Sequence, residues 1–257
     1  MYNTLAKNYD RFVNWESRLA FELPFIEKQI NLLRSSAGAP LRILDSACGS
    51  GMHAIALAQQ GQVVSGADLV PQMIRVSRRN ARSAAASVEF KTAGFGQLAL
   101  TFGREIFDLL LCLGNSLPHV TNQQDLTAAL ADFAACLRPG GMLLIQNRNF
   151  DAVLATRNRW MEPQAFSEGD LEWLFQRYYD FEPDGLIRFN IVTLTRQAGQ
   201  DWHSTVSSTM LRPQLQEELT ADLTDTGFGA IQAYGSMQGE PFEKGSSGNL
   251  ILTAIKQ

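Results

Sequence analysis

An aspartate and two glycines in the stretch Ile43-Leu-Asp-Ser-Ala-Cys-Gly-Ser-Gly51 have residue types and spacing that could do chemistry. A short apolar run ends at Asp45, and Gly49 and Gly51 then lead into an apolar-periodic segment. This order predicts a strand, a tight turn and the start of a helix. Glycine lets a turn adopt positive φ and lets a ligand approach backbone that carries no Cβ. The stretch therefore predicts a small-molecule site.

Two classes of ligand fit this loop. Gly49, Gly51 and Ala54 satisfy the dinucleotide fingerprint G-x-G-x-x-G/A. Asp68 follows the glycines at about the sequence separation at which dinucleotide-binding proteins carry an acidic residue for the ribose hydroxyls. A nicotinamide-dependent oxidoreductase is therefore one alternative. Asp45 favours the other ligand, because its carboxylate would repel a pyrophosphate at the helix N-terminus and attract a compound with ammonium and sulfonium groups.

The residue order Asp-x-Ala-Cys-Gly-x-Gly, with Asp68 at the end of the next predicted strand, resembles the cofactor loop of class I S-adenosylmethionine-dependent methyltransferases. The resemblance implies that S-adenosylmethionine is the cofactor. Asp68 would accept both ribose hydroxyls, because one carboxylate can accept two hydrogen bonds at once. Its alternative role is the N-cap of a helix that begins at Pro71.

The adenine contacts are less regular. Leu69 and Met73 would flank the adenine, and packing in the core explains them equally well. Many relatives carry a carboxylate or amide after the third strand, whereas this sequence reads Ala93-Gly94-Phe95, so backbone groups and the Phe95 ring would replace it. The cofactor contacts predicted in this half of the chain are Asp45, Ala47, Gly49, Gly51, Asp68, Leu69, Met73, Gly94 and Phe95.

A second informative stretch, Cys112-Leu-Gly-Asn-Ser-Leu-Pro-His119, follows another predicted buried strand. In an open α/β sheet, ligands bind beyond the carboxyl ends of the strands. Asn115 and Ser116 would therefore place an amide and a hydroxyl beside the ligand. The alternative is a turn in which Asn115 caps backbone groups.

Three pieces resemble the corresponding parts of glycine and sarcosine N-methyltransferases: Leu113-Gly-Asn-Ser116, Leu137-Arg-Pro-Gly-Gly141 and Arg148-Asn-Phe-Asp151. The resemblance implies that Asn115 and Arg148 hold an amino-acid substrate. It also implies cofactor contacts at Leu113, Ser116 and His119, and through a looser match at Arg18, which would pair with the cofactor's carboxylate.

Arg148 also points to a carboxylate by its own chemistry. An arginine that leaves a buried strand into a cleft is costly unless it meets an anion. Its planar guanidinium can hold a substrate carboxylate with two hydrogen bonds. The alternative is a salt bridge to Asp151 or to Glu168.

The reaction that the resemblance implies is in-line displacement of a methyl group from sulfonium. Asn115 would align the nucleophile through its side-chain oxygen, and Arg148 would hold the far end of the acceptor. An amine must first lose a proton, and Tyr9, Tyr178 or His119 could assist; we take Tyr9 as the third catalytic residue, with Tyr178 and Tyr179 as further lid residues. The alternatives are an O-, C- or metal-ion-directed methyltransferase and a non-catalytic cofactor sensor.

Short apolar strands alternate with helical segments from residue 41 to residue 150, which predicts an α/β fold with a doubly wound, mostly parallel sheet. Seven strands are expected, with the last one antiparallel. Residues 173–211 alternate with strand periodicity, which predicts a small antiparallel sheet of three strands. The predicted organisation is a helical lid segment (1–40), a cofactor-binding catalytic domain (41–150 and 213–257) and an inserted lid sheet (151–212).

The composition limits the remaining possibilities. The chain has 257 residues and a net charge of −4, which argues against a nucleic-acid surface. No apolar run is long enough to span a bilayer, and the first ten residues carry no signal-peptide core, so we expect a cytoplasmic protein without a membrane partner. Cys48, Cys112 and Cys136 have no metal-like spacing, and we expect reduced packing residues and no metal site. The oligomeric state is open.

Overall fold

The computed structural model describes residues 9–33 and 38–257, except for the side chains of Tyr9 and Phe12. The helices are α1 (Tyr9–Phe12), α2 (Trp15–Leu33), α3 (Met52–Gln59), α4 (Pro71–Ser83), α5 (Leu98–Phe102), α6 (Gln123–Cys136), α7 (Phe150–Thr156) and α8 (Gln216–Asp225). The strands are β1 (Arg42–Asp45), β2 (Val63–Asp68), β3 (Val88–Thr92), β4 (Phe107–Cys112), β5 (Leu137–Arg148), β6 (Gln164–Glu168), β7 (Leu171–Phe181), β8 (Ile187–Gln197), β9 (His203–Leu211), β10 (Phe228–Tyr234) and β11 (Asn249–Lys256). A 3₁₀ turn covers Leu117–His119.

The central sheet has seven strands in the order β10-β11-β5-β4-β1-β2-β3. Strands β1 to β5 pair in parallel, and β11 runs antiparallel to both of its neighbours, β5 and β10. This architecture confirms the predicted fold class, including the antiparallel last strand. Among the helices in the described ranges, none has the length and apolar character that a bilayer crossing requires.

Strand β4 is apolar at nearly every position, and helices cover both faces of the sheet. Leu109 and Leu111 belong to a core cluster packed on α2, α3 and α4. Leu110 and Cys112 point the other way, into a cluster with α6 and α8. Alternate residues of a strand face opposite sides, so a continuous apolar run is the pattern of a strand buried on both faces.

A second sheet, antiparallel and in the order β6-β7-β8-β9, lies between β5 and α8 in the sequence. Three of its strands match the predicted periodicity, and β6 was not predicted. Gln164–Glu168 is an edge strand whose residues are mostly exposed, so it lacks the apolar alternation by which strands are recognised. The exact domain boundaries remain a prediction.

The site-forming edge of the sheet follows from the strand order. The chain passes from β1 through β2 to β3 on one side, and β4 then returns to pair with the other side of β1. A crevice opens at such a reversal, beyond the carboxyl ends of β1 and β4. Asp45 and the loop that follows it lie at this point.

The glycine loop lies against the ring of Phe90 on β3. A Cβ added to Gly66 on β2 would come within 2.7 Å of that ring, and one added to Gly51 would come within 2.8 Å of it. Contacts this short force the neighbouring atoms to move. Since Phe90 is buried, it has little room to do so. Glycine at both positions allows the loop, β2 and β3 to pack closely.

We expect Gly66→Ala to lower the free energy of unfolding by about 1–3 kcal/mol, because the new methyl group overpacks the Phe90 ring. Denaturant titration measures the loss. Gly245→Ala is the matched control, since no atom lies within 4 Å of the added carbon, and it should be near neutral. Adding Phe90→Leu to Gly66→Ala should recover part of the loss; no recovery would contradict the steric explanation.

Candidate active site

Backbone hydrogen bonds fix the glycine loop between β1 and α3. The Cys48 N–H donates to the Ala67 carbonyl over 2.8 Å, and the Gly51 N–H donates to the Cys48 carbonyl over 2.8 Å. Gly49 and Gly51 have φ values of 54° and 84°, which is the left-handed region that favours glycine. The predicted strand, turn and helix start are all present, and Ala47 lies within the turn.

Asp68 at the end of β2 is tied to this loop. One carboxylate oxygen accepts from the Gly49 N–H over 3.0 Å, and the other accepts from the Val70 N–H over 2.8 Å. The N-cap of α4 is Val70, so the alternative role of Asp68 as that N-cap is not what the structure shows. Each oxygen keeps a further lone pair for a ligand hydroxyl. Burial raises the pKa of Asp68, and the two backbone hydrogen bonds oppose the rise.

Asp45 is almost fully buried at the end of β1. Burial raises the pKa of its carboxyl group to about 6, and the charge of nearby Asp68 adds to the rise while His53 opposes it. Within the described part of the chain, no cationic side chain forms a salt bridge with Asp45. A cationic ligand beside this carboxyl group would favour its ionised form.

The residues predicted to surround the adenine lie in different environments. Leu69 is 71% exposed, and a Cβ on Gly94 would be 3.0 Å from its side chain, so these two residues lie side by side. Met73 is buried in the first turn of α4. The ring of Phe95 packs edge-on against Phe133, with centroids 5.2 Å apart. Contact with the adenine remains a prediction for all four residues, and Leu69 and Gly94 lie closest to the strand ends.

Hydrogen bonds join the loop after β4 to the end of β5. The Arg148 N–H donates to the side-chain oxygen of Asn115 over 2.9 Å, and the Asn115 N–H donates to the Gln146 carbonyl over 2.9 Å. Asn115 has a φ of 64°, and the Ser116 hydroxyl donates to the carbonyl of buried Leu113 over 2.8 Å. Asn115 therefore does bond backbone groups, as in its alternative role, and it lies beyond the carboxyl end of β4.

A cavity of about 800 Å³ lies between α2, the ends of β4 and β5, and strands β7 and β8 of the second sheet. Some of its lining residues were predicted from the sequence, namely Arg18, Asn115, His119, Arg148 and Tyr179. Others were not predicted, namely Gly114, Gln146 and Arg177. Gly49, Gly51 and Asp68 are not among its lining residues. The predicted residues thus form two neighbouring groups, the cavity and the glycine-loop crevice.

Arg148 lines this cavity, and neither predicted structural partner holds it. Asp151 accepts from the Gln216 N–H over 3.0 Å and lies 3.5 Å from the Lys244 ammonium. Glu168 pairs with Arg11 over 2.7 Å. Within the described residues, no carboxylate forms a salt bridge with Arg148. Its guanidinium is therefore available for an anionic ligand.

The second sheet contributes Tyr179 and Arg177 to the cavity. Burial raises the pKa of Tyr179, although the charges of Arg148 and Arg177 and a hydrogen bond from Arg148 oppose the rise. Burial lowers the pKa of Arg177, and the charge of Arg148 lowers it further. Of the two tyrosines considered as lid residues, Tyr179 lines the cavity, whereas Tyr178 packs on Trp160 with ring centroids 5.0 Å apart.

His119 and Tyr9 are the two remaining candidates for proton transfer. Burial lowers the pKa of His119 to about 4, so the imidazole is neutral at neutral pH and is a weak base. The side chain of Tyr9 lies outside the described part of the structure. Its catalytic role stays a prediction.

A buried cluster around Arg18 was not predicted. Glu22 on α2 accepts hydrogen bonds from Arg18, His53 and Gln146. Arg18 lies one turn earlier on α2, His53 lies on α3 and Gln146 lies on β5. The only local signal is the spacing of Arg18 and Glu22, which places them one turn apart on the same helix. His53 and Gln146 are 31 and 124 residues away from Glu22, so no sequence pattern connects them.

These residues suit S-adenosylmethionine by the chemistry of their side chains. Asp68 can accept ribose hydroxyls, buried Asp45 forms no salt bridge with the described side chains, and Arg18 can meet a carboxylate. The described residues hold no group of three or more metal-ligating side chains placed to bind an ion. All three cysteines are free and buried.

Comparisons with known proteins find methyltransferases among similar sequences. Residues 43–141 match a methyltransferase domain model. A glycine/sarcosine N-methyltransferase of Parasynechococcus marenigrum is 34% identical over 57% of this chain and 50% of its own length. The enzyme of the same description from Aphanothece halophytica is 28% identical over 91% of this chain and 81% of its own length. The chain thus spans about half of the first relative and most of the second.

Solved structures share the fold over nearly the whole chain. An S-adenosylmethionine-dependent methyltransferase from Clostridium acetobutylicum superposes with a TM-score of 0.77 at 17% identity, covering 99% of this chain and 98% of its own. An amino pentose methyltransferase from Micromonospora echinaspora, solved with S-adenosylmethionine bound, has a TM-score of 0.71 at 18% identity and covers 98% of this chain and 95% of its own. Residues 43–141 thus match a methyltransferase domain, and the whole chain shares the fold of solved S-adenosylmethionine-dependent methyltransferases.

Proposed function

We propose that the protein transfers a methyl group from S-adenosylmethionine to the amine of a small, carboxylate-bearing acceptor of the glycine type. The observation that carries the proposal is the position of Arg148, which lines the cavity while Asp151 and Glu168 are bound elsewhere. A guanidinium in such a place binds a carboxylate with two hydrogen bonds. The similarity to glycine/sarcosine N-methyltransferases supports the same acceptor class.

The chain's own residues position the acceptor. Arg148 would hold the acceptor's carboxylate, and its backbone hydrogen bond to Asn115 keeps the loops after β4 and β5 in fixed register. The bound cofactor supplies an electrophilic methyl group. The buried ring of Tyr179 excludes water from one wall of the cavity, and a poorly hydrated site favours a reaction in which charge disperses. Most of the rate enhancement then comes from orientation.

The acceptor amine must be neutral when it attacks. With a pKa of about 4, His119 cannot retain a proton from an amine at neutral pH. The positive charges of Arg148 and Arg177 instead favour the neutral amine, because nearby like charge disfavours an ammonium ion. The cavity thus selects the reactive form of the acceptor without a strong general base.

Replacing Arg148 tests the acceptor class. We expect Arg148→Ala to raise the KM for glycine or sarcosine by about 10–100-fold, since a charge-assisted pair is lost, while the KM for S-adenosylmethionine changes little. Arg188→Ala is the control, because Arg188 pairs with Glu182 on the surface. The acceptor panel should include an amino sugar without a carboxylate. Preferred turnover of that sugar, or equal changes in both KM values, would contradict the proposal.

The pKa of Asp45 predicts a pH dependence of cofactor binding. A cationic ligand stabilises the ionised carboxylate, so affinity for S-adenosylmethionine should increase as pH rises through about 6. Calorimetric titration from pH 5 to pH 8 measures this. Asp45→Asn should bind the cofactor more weakly at pH 8, and its affinity should no longer change in that window. An unchanged pH profile in the variant would show that another group is responsible.

The same shift predicts an opposite effect on stability. The pKa of Asp45 is higher in the folded protein than its ordinary value of 3.8, so the folded state binds the extra proton between pH 3.8 and about 6. Stability therefore falls as pH rises through that window, and ionised Asp45 costs about 3 kcal/mol above it. We expect Asp45→Asn to raise the melting temperature of the ligand-free protein at pH 8 and to leave it nearly unchanged at pH 4. A lower melting temperature at pH 8 would contradict the assignment.

A further inference from the structure

Glu22 on α2 connects three parts of the molecule. Its carboxylate accepts from His53 Nε2 over 2.6 Å, from Gln146 Nε2 over 2.7 Å and from Arg18 Nε over 3.1 Å. His53 comes from α3, directly after the glycine loop, and Gln146 comes from β5. One buried carboxylate thus links α2 to both halves of the site.

The charge of Glu22 is well compensated. Burial alone would raise its pKa, but the hydrogen bond from His53 and the charge of Arg18 outweigh burial and hold the pKa at about 2. A buried carboxylate with several donors stays ionised at every pH at which the protein works. Glu22 is therefore a permanent acceptor and is unsuited to proton transfer.

The cluster determines where the Arg18 guanidinium lies. Gln146 Oε1 accepts from the Gly114 N–H over 3.0 Å and from Arg18 Nη2 over 3.5 Å. A Cβ added to Gly114 would be 3.3 Å from Arg18 Nη2, so the guanidinium lies directly against this glycine. On another side, the Trp15 ring centroid is 5.2 Å from the Arg18 guanidinium carbon. The remaining part of the Arg18 guanidinium lines the cavity.

We propose that Glu22 is a positioning residue that, with Gln146, fixes the Arg18 guanidinium against Gly114 so that it meets the carboxylate of the cofactor. This inference rests on the cofactor part of the proposed function and does not depend on which acceptor is methylated. Glu22 does not touch the ligand itself. Its contribution is that Arg18 need not be ordered when the cofactor binds, and a donor held in advance binds more tightly.

A purely structural role for Glu22 would give a different ligand dependence. If Glu22 only docks α2 on the sheet, its loss weakens every ligand of the site to the same degree. If it positions Arg18, its loss weakens only ligands that have the carboxylate. S-Adenosylmethionine and decarboxylated S-adenosylmethionine separate the two cases, because they share the adenosine, the sulfonium and the ammonium groups.

The experiment is calorimetric titration of the 257-residue chain with these two ligands in the absence of an acceptor. We expect Glu22→Gln to raise the Kd for S-adenosylmethionine about tenfold and the Kd for the decarboxylated ligand less than about twofold. Glu27→Gln is the matched control, because Glu27 lies exposed on the same helix. Equal weakening of both ligands, or no change for either, would overturn the proposal.

A second variant tests whether Glu22 acts through Arg18. Arg18→Met should show the same ligand selectivity, and adding Glu22→Gln to it should cause no further loss, because residues that act as a unit are not additive. Independent, additive losses would overturn the proposal. If Glu22→Gln does not fold, His53→Asn removes the shortest hydrogen bond of the same carboxylate without touching Arg18. It should weaken S-adenosylmethionine selectively, and no selectivity would count against the proposal.

Because no acceptor is present, this experiment fails separately from the proposed function. If the proposed acceptor class is wrong, the dissociation constants of the two cofactor ligands are not affected. If the proposed role of Glu22 is wrong, the effect of Arg148→Ala on the KM for the acceptor is not affected.

Discussion

The parallel pairing of β1 with both β2 and β4 is the constraint on which the site depends. It brings the carboxyl ends of three strands to one edge of the sheet, so that Asp45, Asp68 and the loop after β4 become neighbours. Acidic groups gathered in this way repel each other, and the charge of Asp68 contributes to the raised pKa of Asp45. The fold thus holds a carboxyl group that is costly to ionise until a cation arrives.

The protein balances its buried charges differently on the two sides of the site. On the glycine-loop side, Asp45 lacks a salt-bridge partner among the described residues, and its pKa rises. On the cavity side, Glu22 has three donors and its pKa falls. The first arrangement leaves binding energy for a ligand, whereas the second holds protein groups in place. A fully hydrogen-bonded buried network such as that of Glu22 adds rigidity.

The parts of the molecule that sequence reasoning predicted are those encoded locally. The glycine loop, the buried strands and Asp68 all follow from residues within one strand, turn and helix. Tyr179 could not be separated from Tyr178 by sequence, because adjacent strand residues face opposite sides and nothing local marks the side of the cavity. The contacts of Glu22 reach as far as Gln146, and β6 lacks an apolar face. Both depend on tertiary pairing.

The position of β11 has a consequence for synthesis of the protein. This strand inserts between β10 and β5, and seven of its residues pair with β5, from Asn249 opposite Arg148 to Ile255 opposite Met142. Until β11 has been translated, the nascent chain carries β5 as an uncovered edge of buried-type residues such as Leu143 and Leu144. Bare apolar edges recruit other chains. Elongation rate and chaperone supply should therefore govern how much of the protein escapes aggregation on the ribosome.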